Sequence, residues 1–277
     1  MMRNILFWLI AMLLTVASAV FQRLTGPTYP ISGEAAVAGH KFGFELGRSH
    51  GGPGDQILAL DAPDSAVTAE LVWRRYKTGD PWTRQVMERA GDRLIGRLPH
   101  QPPAGKLEYH LVVHAGQEFV ALPEDENAVT RFKGDVPAAV LIPHIALMFS
   151  AMLLSARTGL DALRPSPRLN RYLYWTVGLI FAGGMIFGPI VQKYAFGALW
   201  TGFPLGTDLT DNKTLIAFLV WVCALAAAWR KPPARAWILT ASIVTLVIFA
   251  IPHSMHGSEL DYSTMEQVSP GPSTAGE

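Results

Sequence analysis

Five stretches of the chain are apolar for long enough to suggest helices that cross a bilayer. They run over residues 4–21, 137–156, 172–192, 214–229 and 236–252. Each approaches the roughly 20 apolar residues that an α-helix needs to span the hydrocarbon, where every backbone group must be satisfied internally. The last two are short, so tilt or packing has to help them. Between the first and second stretches the pattern shortens: QILALDA, VTAELVWRRY, DRLIGRLP, KLEYHLVV and EFVALP alternate or cluster apolar residues over strand lengths, separated by Gly, Pro and Asp. That spacing predicts β-structure. The expected architecture is an α+β membrane protein with an N-terminal anchor helix at 1–21, an exported β-sandwich domain at 22–136, a four-helix transmembrane domain at 137–257 and an exported disordered tail at 258–277.

Composition supports the membrane class. Of 277 residues, 50% are hydrophobic and only 16% charged, too apolar for an ordinary soluble protein. The net charge is +1, and no dense Lys/Arg block interleaves with aromatics, so nucleic acid is not an expected partner. The lone Cys223 allows no intrachain disulfide. Residues 1–21 carry Arg3, an apolar centre and Ala17-Ser18-Ala19, a pattern that also describes a cleavable signal peptide; a retained anchor is the favoured reading.

Charge then sets the orientation. Arg157, Arg164, Arg168 and Arg171 lie between the second and third stretches, and Arg230, Lys231 and Arg235 between the fourth and fifth. Short loops rich in Lys and Arg stay in the cytoplasm. The tail carries Glu259, Asp261, Glu266 and Glu277 with no Lys or Arg. The expected placement is the inner membrane, with the N-terminus cytoplasmic and the β-domain and tail exported, periplasmic in a Gram-negative cell. The expected partners are the lipid bilayer and other membrane-protein subunits.

Within the exported region, LVWRRYKTGDPWTRQVMERAGDRLIGRLPHQPPAGKLEYHLVV (71–113) joins a charged strand to a Tyr-centred strand through proline turns. Here the sequence resembles fibronectin type III or immunoglobulin-like domains, over about residues 40–132. The resemblance implies a β-sandwich and carries no active residues. Along KLEYHLVVH, side chains alternate, so Glu108, His110 and His114 share one face. Two histidines four apart on a strand are about 13 Å apart, too far to share a metal, and a solvated face is the better reading. No GxSxG, HExxH or glycine-rich phosphate loop is present.

The chemistry-bearing residues concentrate in the apolar half. His144, Met148 and Met152 are spaced to line one helical face, and an ionisable residue inside a span is a functional candidate. In YAFGALWTGFPLGTDLTDNK (194–213), Asp208 or Thr210 can cap the fourth span with Asp211 in its first turn, and Lys213 sits beside the two aspartates. After the fifth stretch, IPHSMHGSEL places His253 and His256 about Met255, with Glu259 in register if the helix continues. Close packing through Gly178-x-x-x-Ala182 and Gly184-x-x-x-Gly188 of the third span could bring these groups together.

His144 and His253 are therefore candidate haem axial ligands, and His144, Met148, His253, His256 and Glu259 a candidate metal set, with Asp208, Asp211 and Lys213 a separate polar cluster. Imidazole with thioether suits copper or the iron of haem b; imidazole with carboxylate suits zinc. Each group also has a structural role open to it, as core filler, helix cap or interfacial residue. Three functions remain: an accessory subunit or assembly factor that docks through its exported domain, a membrane haem or metal protein, and an enzyme acting on lipid or cell-wall precursors. The first is favoured, because no ligand motif is diagnostic and no nucleophile motif stands out.

Overall fold

In the computed structural model, which describes residues 2–253, 255, 257 and 259–268, the chain is a mixed α+β protein that divides into a helical unit and a β unit. The apolar stretches form α1 (Met2–Leu24), α2 (Ala138–Ala162), α3 (Leu169–Ile180), a π-helical segment (Phe181–Phe187), α4 (Gly188–Phe196), α5 (Leu209–Arg230) and α6 (Arg235–Ala250). Four rods are long and apolar enough to cross a membrane: α1, α2, the continuous Leu169–Phe196 and α5. The fifth, α6, has 16 residues. Pro252 follows directly on its C-cap Ile251, which is extended at ψ 122°, as the residue before a proline tends to be.

The helices pack with α2 against α1, α3 and α6, and with α5 against α3 and α6. Leu173, Ile180, Trp221 and Ile238 are among the buried residues of this core. Several buried polar groups are paired inside it: Thr158 and Thr176 share a hydrogen bond of 3.1 Å, the Trp221 indole donates to Thr245 at 2.8 Å, and Ser242 donates to the Ser155 carbonyl at 3.0 Å. Such pairing removes the cost of an unsatisfied donor in an apolar surrounding.

Two sequence expectations are corrected here. Arg157 is not a loop residue: it lies in α2, only 2% exposed, because Asp161 one turn on takes its guanidinium at 2.6 Å and Asn4 accepts from it at 2.8 Å. Gly178 does not mediate close packing either, since a Cβ there would meet nothing within 4 Å. The close approaches are at Gly159, Gly183 and Gly184, where a Cβ would fall within 3.0 Å of a side chain on a neighbouring helix.

The β unit comprises Thr28–Asp135 with Glu259–Val268. Its strands are β1 (Ile31–Val37), β2 (His40–Leu46), β3 (Ser49–Gly51), β4 (Gln56–Asp61), β5 (Val67–Arg75), β6 (Thr83–Val86), β7 (Glu88–Ala90), β8 (Arg93–Leu98), β9 (Lys106–Ala115), β10 (Glu118–Leu122), β11 (Ala128–Lys133), β12 (Glu259–Asp261) and β13 (Glu266–Val268). One sheet runs β3-β11-β9-β5-β6 with β10 also on β9, a second runs β4-β8-β7, and β1-β2 and β12-β13 form two-stranded ribbons. A single core gathers side chains from the larger sheet (Leu71, Leu107, Tyr109, Leu111), the smaller one (Leu58, Leu60, Leu94, Leu98) and β1-β2 (Val37, Phe42, Leu46). This arrangement is compatible with a β-sandwich.

All five segments read as strands from their alternation are strands: β4, β5, β8, β9 and β10. Along β9, Leu107, Tyr109, Leu111, Val113 and Ala115 are buried in the core; the other face is not the solvated one expected, since Glu108 is buried against Arg74 at 2.6 Å and His110 and His114 are half-buried. Residues 259–268, expected to belong to a disordered tail, form the β12-β13 ribbon. Its apolar content is too low to announce a strand, yet Leu260 is buried and its amide donates to the Ala104 carbonyl at 3.2 Å.

Candidate functional site

Most polar residues singled out in the apolar half collect at one end of the helical unit, where α1 and α6 finish and α2 and α5 begin. Here the terminal carbonyls of α6 need donors. Gln22, at the end of α1, donates to Phe249 and Ile251 at 2.9 and 3.0 Å, and the Lys213 amine reaches the Ile251 carbonyl at 2.7 Å. Lys213 is 2% exposed. Asp208 caps α5 through the amides of Thr210 and Asp211. Asp211 turns outward from the same helical turn and accepts from the amides of Thr201 and Gly202 at 2.7 and 3.0 Å, which pins the loop that precedes α5.

His144 lies two turns into α2 and faces the π-helical segment. The wide winding of that segment lets the Gly188 amide bond the Gly183 carbonyl, and His144 Nδ1 meets the same oxygen at 3.0 Å. A carbonyl only accepts, so Nδ1 carries the proton and Nε2 keeps a free lone pair. That tautomer, held by a backbone carbonyl, is the one a metal-ligating histidine adopts, and π-helical turns recur at functional sites. Gly183 and Gly184 make the approach fit. A Cβ on Gly183 would lie 2.9 Å from Met148 Sδ, and one on Gly184 2.7 Å from the Thr214 methyl. Met148 thus packs on the glycine pair.

His253 follows α6 by three residues and stays partly open to solvent. Crowding by protein, then the charges of Lys213 and His144, push its imidazole well below the ordinary range and keep it neutral. Met255 is exposed, and His256 lies outside the described residues.

Glu259 is not with the histidines. It belongs to the β unit, in β12, where its carboxylate meets Lys106 at 2.6 Å and Lys77 at 3.0 Å. The helix ends at Ala250, so the register that would have carried Glu259 alongside His253 does not exist. Among the described residues, no group of three or more His, Cys, Asp or Glu is placed to hold a metal ion.

Around Glu259 a cleft of about 500 Å³ is lined by Arg75, Lys77, Lys106 and Tyr262. The Tyr262 hydroxyl donates to the Lys106 carbonyl and accepts from its amide, each at 2.9 Å, and burial pushes it up to about 12. Burial also pulls Lys106 below the usual lysine range, against its bond to Glu259. For Glu259, burial acts upward, but the hydrogen bonds and charges of Lys106 and Lys77 outweigh it and hold the carboxyl below its usual range.

A carboxyl that titrates lower when folded contributes stability that is complete above its unfolded value and is lost as pH falls through the folded value. Glu259→Gln is expected to lower the stability of the β unit at neutral pH by about 1–3 kcal/mol and to flatten its acid dependence below about pH 4.3. Hydrogen exchange of residues 259–268 between neutral and acid pH is the measurement. Equal pH profiles for variant and parent would refute the anchoring role.

Gln22, Gly183 and the π-helical segment had no assigned role from sequence. Gly184 is a close-packing position, as its place in Gly184-x-x-x-Gly188 suggests; Gly183 beside it belongs to neither small-residue stripe. No protein-family model, curated protein or solved structure matches the chain.

Proposed function

We propose that the chain is an integral membrane accessory protein, a subunit or assembly factor of a larger membrane complex. In this reading α1 is an anchor, the β unit is an exported sandwich of the fibronectin type III or immunoglobulin-like kind that offers a docking surface, and the remaining helices pack beside partner subunits. The four long apolar helices support the membrane placement. The six Lys and Arg residues at the two short connections, Arg164, Arg168, Arg171, Arg230, Lys231 and Arg235, favour the cytoplasmic side for those connections.

One observation carries the accessory reading over an enzymatic one. The chemistry-bearing side chains serve internal structure: Lys213 caps α6, Asp208 caps α5, Asp211 pins a loop, and Glu259 holds a strand ribbon between two lysines. No nucleophile, base and oxyanion donors converge among the described residues. A second reading, a haem or metal protein, is favoured by the His144 tautomer, with Nε2 free near His253. Against it, the Lys213 amine, whose field reaches His253, would oppose a metal cation there.

The full chain purified in mild detergent is expected to migrate with other membrane subunits in fixed stoichiometry, without haem absorbance or bound copper or zinc. A stoichiometric chromophore or metal that disappears in His144→Ala and in His253→Ala would overturn this and establish the second reading.

A further inference from the structure

The opposite end of the helical unit, where α1 begins and α2 turns into α3, is built around arginine. A cavity of about 450 Å³ is walled by Arg3, Asn4, Arg157, Asp161, Arg164 and Arg168. Arg157 forms its floor. Its guanidinium is boxed by the rings of Phe7, Trp8 and Tyr172 at 5.1–5.3 Å, and its Nε finds no partner among the described residues. Asn4 Oδ1 accepts from both Arg157 and Arg168, at 2.8 and 3.1 Å, so the start of α1 fixes the two guanidinium groups relative to each other.

Charge in this cavity is unbalanced. Asp161 offsets Arg157, whereas Arg3, Arg164 and Arg168 have no carboxylate partner among the described residues. Helix α3 starts in the same loop with no side-chain cap from Arg168, and its N-terminus adds the positive end of a helix dipole. Clustered guanidinium forks match a phosphate, which accepts several charge-assisted hydrogen bonds at once.

Depth decides which phosphate. Exposed Tyr174 and Trp175 near the start of α3, Trp229 at the end of α5 and Trp237 at the start of α6 surround this end of the unit, and the Trp229 indole donates to the Tyr174 hydroxyl at 2.9 Å. Such aromatics settle at headgroup level. Basic pockets between helices at that depth suit lipid headgroups.

Resting on the membrane reading above, we infer that this pocket binds the phosphate of an anionic phospholipid headgroup. Full-length protein in nanodiscs of mixed phosphatidylglycerol and phosphatidylcholine is the test, with retained lipids identified by native mass spectrometry. Phosphatidylglycerol is expected to be retained selectively. The selectivity is expected to fall about 30-fold in Arg164→Gln/Arg168→Gln, on a scale of roughly fivefold per surface arginine, and to weaken with salt.

Equal retention of the two lipids, or selectivity unchanged in the double variant, would overturn the inference. Displacement of the lipid by millimolar inorganic phosphate would assign the pocket to a free anion and overturn it as well. Because the variant could lose its fold, the thermal shift of the unmodified protein on adding phosphatidylglycerol rather than phosphatidylcholine vesicles provides a variant-free readout, and no difference between them counts against the site. A chain that stays dispersed without detergent would instead refute the membrane placement, which separates the two failures.

Discussion

Arg157→Met is expected to destabilise the helical unit by about 3–5 kcal/mol, the cost of leaving a buried carboxylate without its cation. Asp161, 5% exposed, would lose the partner that meets it at 2.6 Å, and Ser166 at 3.1 Å is a weak replacement. The same substitution removes the donor to Asn4 and the cation enclosed by three aromatic rings. The pair can be separated from mere packing by a second change. Arg157→Met/Asp161→Leu removes both charges and is expected to regain most of the loss, because two apolar side chains tolerate a dry interior that one unpaired carboxylate does not. Unfolding titrations in mixed micelles compare the three proteins. A double variant as unstable as the single one would show that the ion pair is not the reason Arg157 is buried.

The second large effect is expected at Gly159. The backbone of α2 approaches α6 so closely there that a Cβ would clash with Ser242 Oγ and lie 2.6 Å from Ser242 Cβ. Ser242 cannot swing away without cost, since its hydroxyl is buried and donates to the Ser155 carbonyl at 3.0 Å. Gly159→Val is therefore expected to cost about 3 kcal/mol, the upper part of the usual range for overpacking, by forcing the two helices apart. Gly159→Ala should show the same sign despite the better helix propensity of alanine. Ser242→Gly in the same chain clears both clashing atoms and is expected to restore much of the loss. The same micelle titration reads the result, and no rescue would mean that the clash is relieved elsewhere.

Both sites show why the helices were easier to read than their polar interiors. Uninterrupted apolarity is a local property, and it located α1, α2, the rod Leu169–Phe196, α5 and α6, with ends off by up to about six residues and without the π-helical break in the third. Strand alternation is local too, and β4, β5, β8, β9 and β10 followed it because one face of each enters a core. Strands with weak alternation, such as the wholly exposed β6, or with low apolar content, such as β12, left no such trace. The β12 ribbon depends on Lys77 and Lys106, more than 150 residues earlier in the chain, and a segment of that composition by itself reads as a tail.

The candidate residues divide along the same line. Spacing alone placed His144 and Met148 on one face of a helix and narrowed the cap of α5 to Asp208 or Thr210, since both follow from the helical repeat and from the donors that every helix start leaves free. Tertiary structure decided what those residues do. It set His144 on the Gly183 carbonyl by way of a π-helical winding, buried Lys213 under the end of α6, and carried Glu259 away to the β unit. It also turned Arg157 from an apparent loop charge into a buried one by supplying Asn4 and three aromatic rings from α1 and α3. The physical reason is common to all four: burying a polar group costs free energy that partners must offset, and most of those partners come from segments that adjoin it in the fold and not in the sequence.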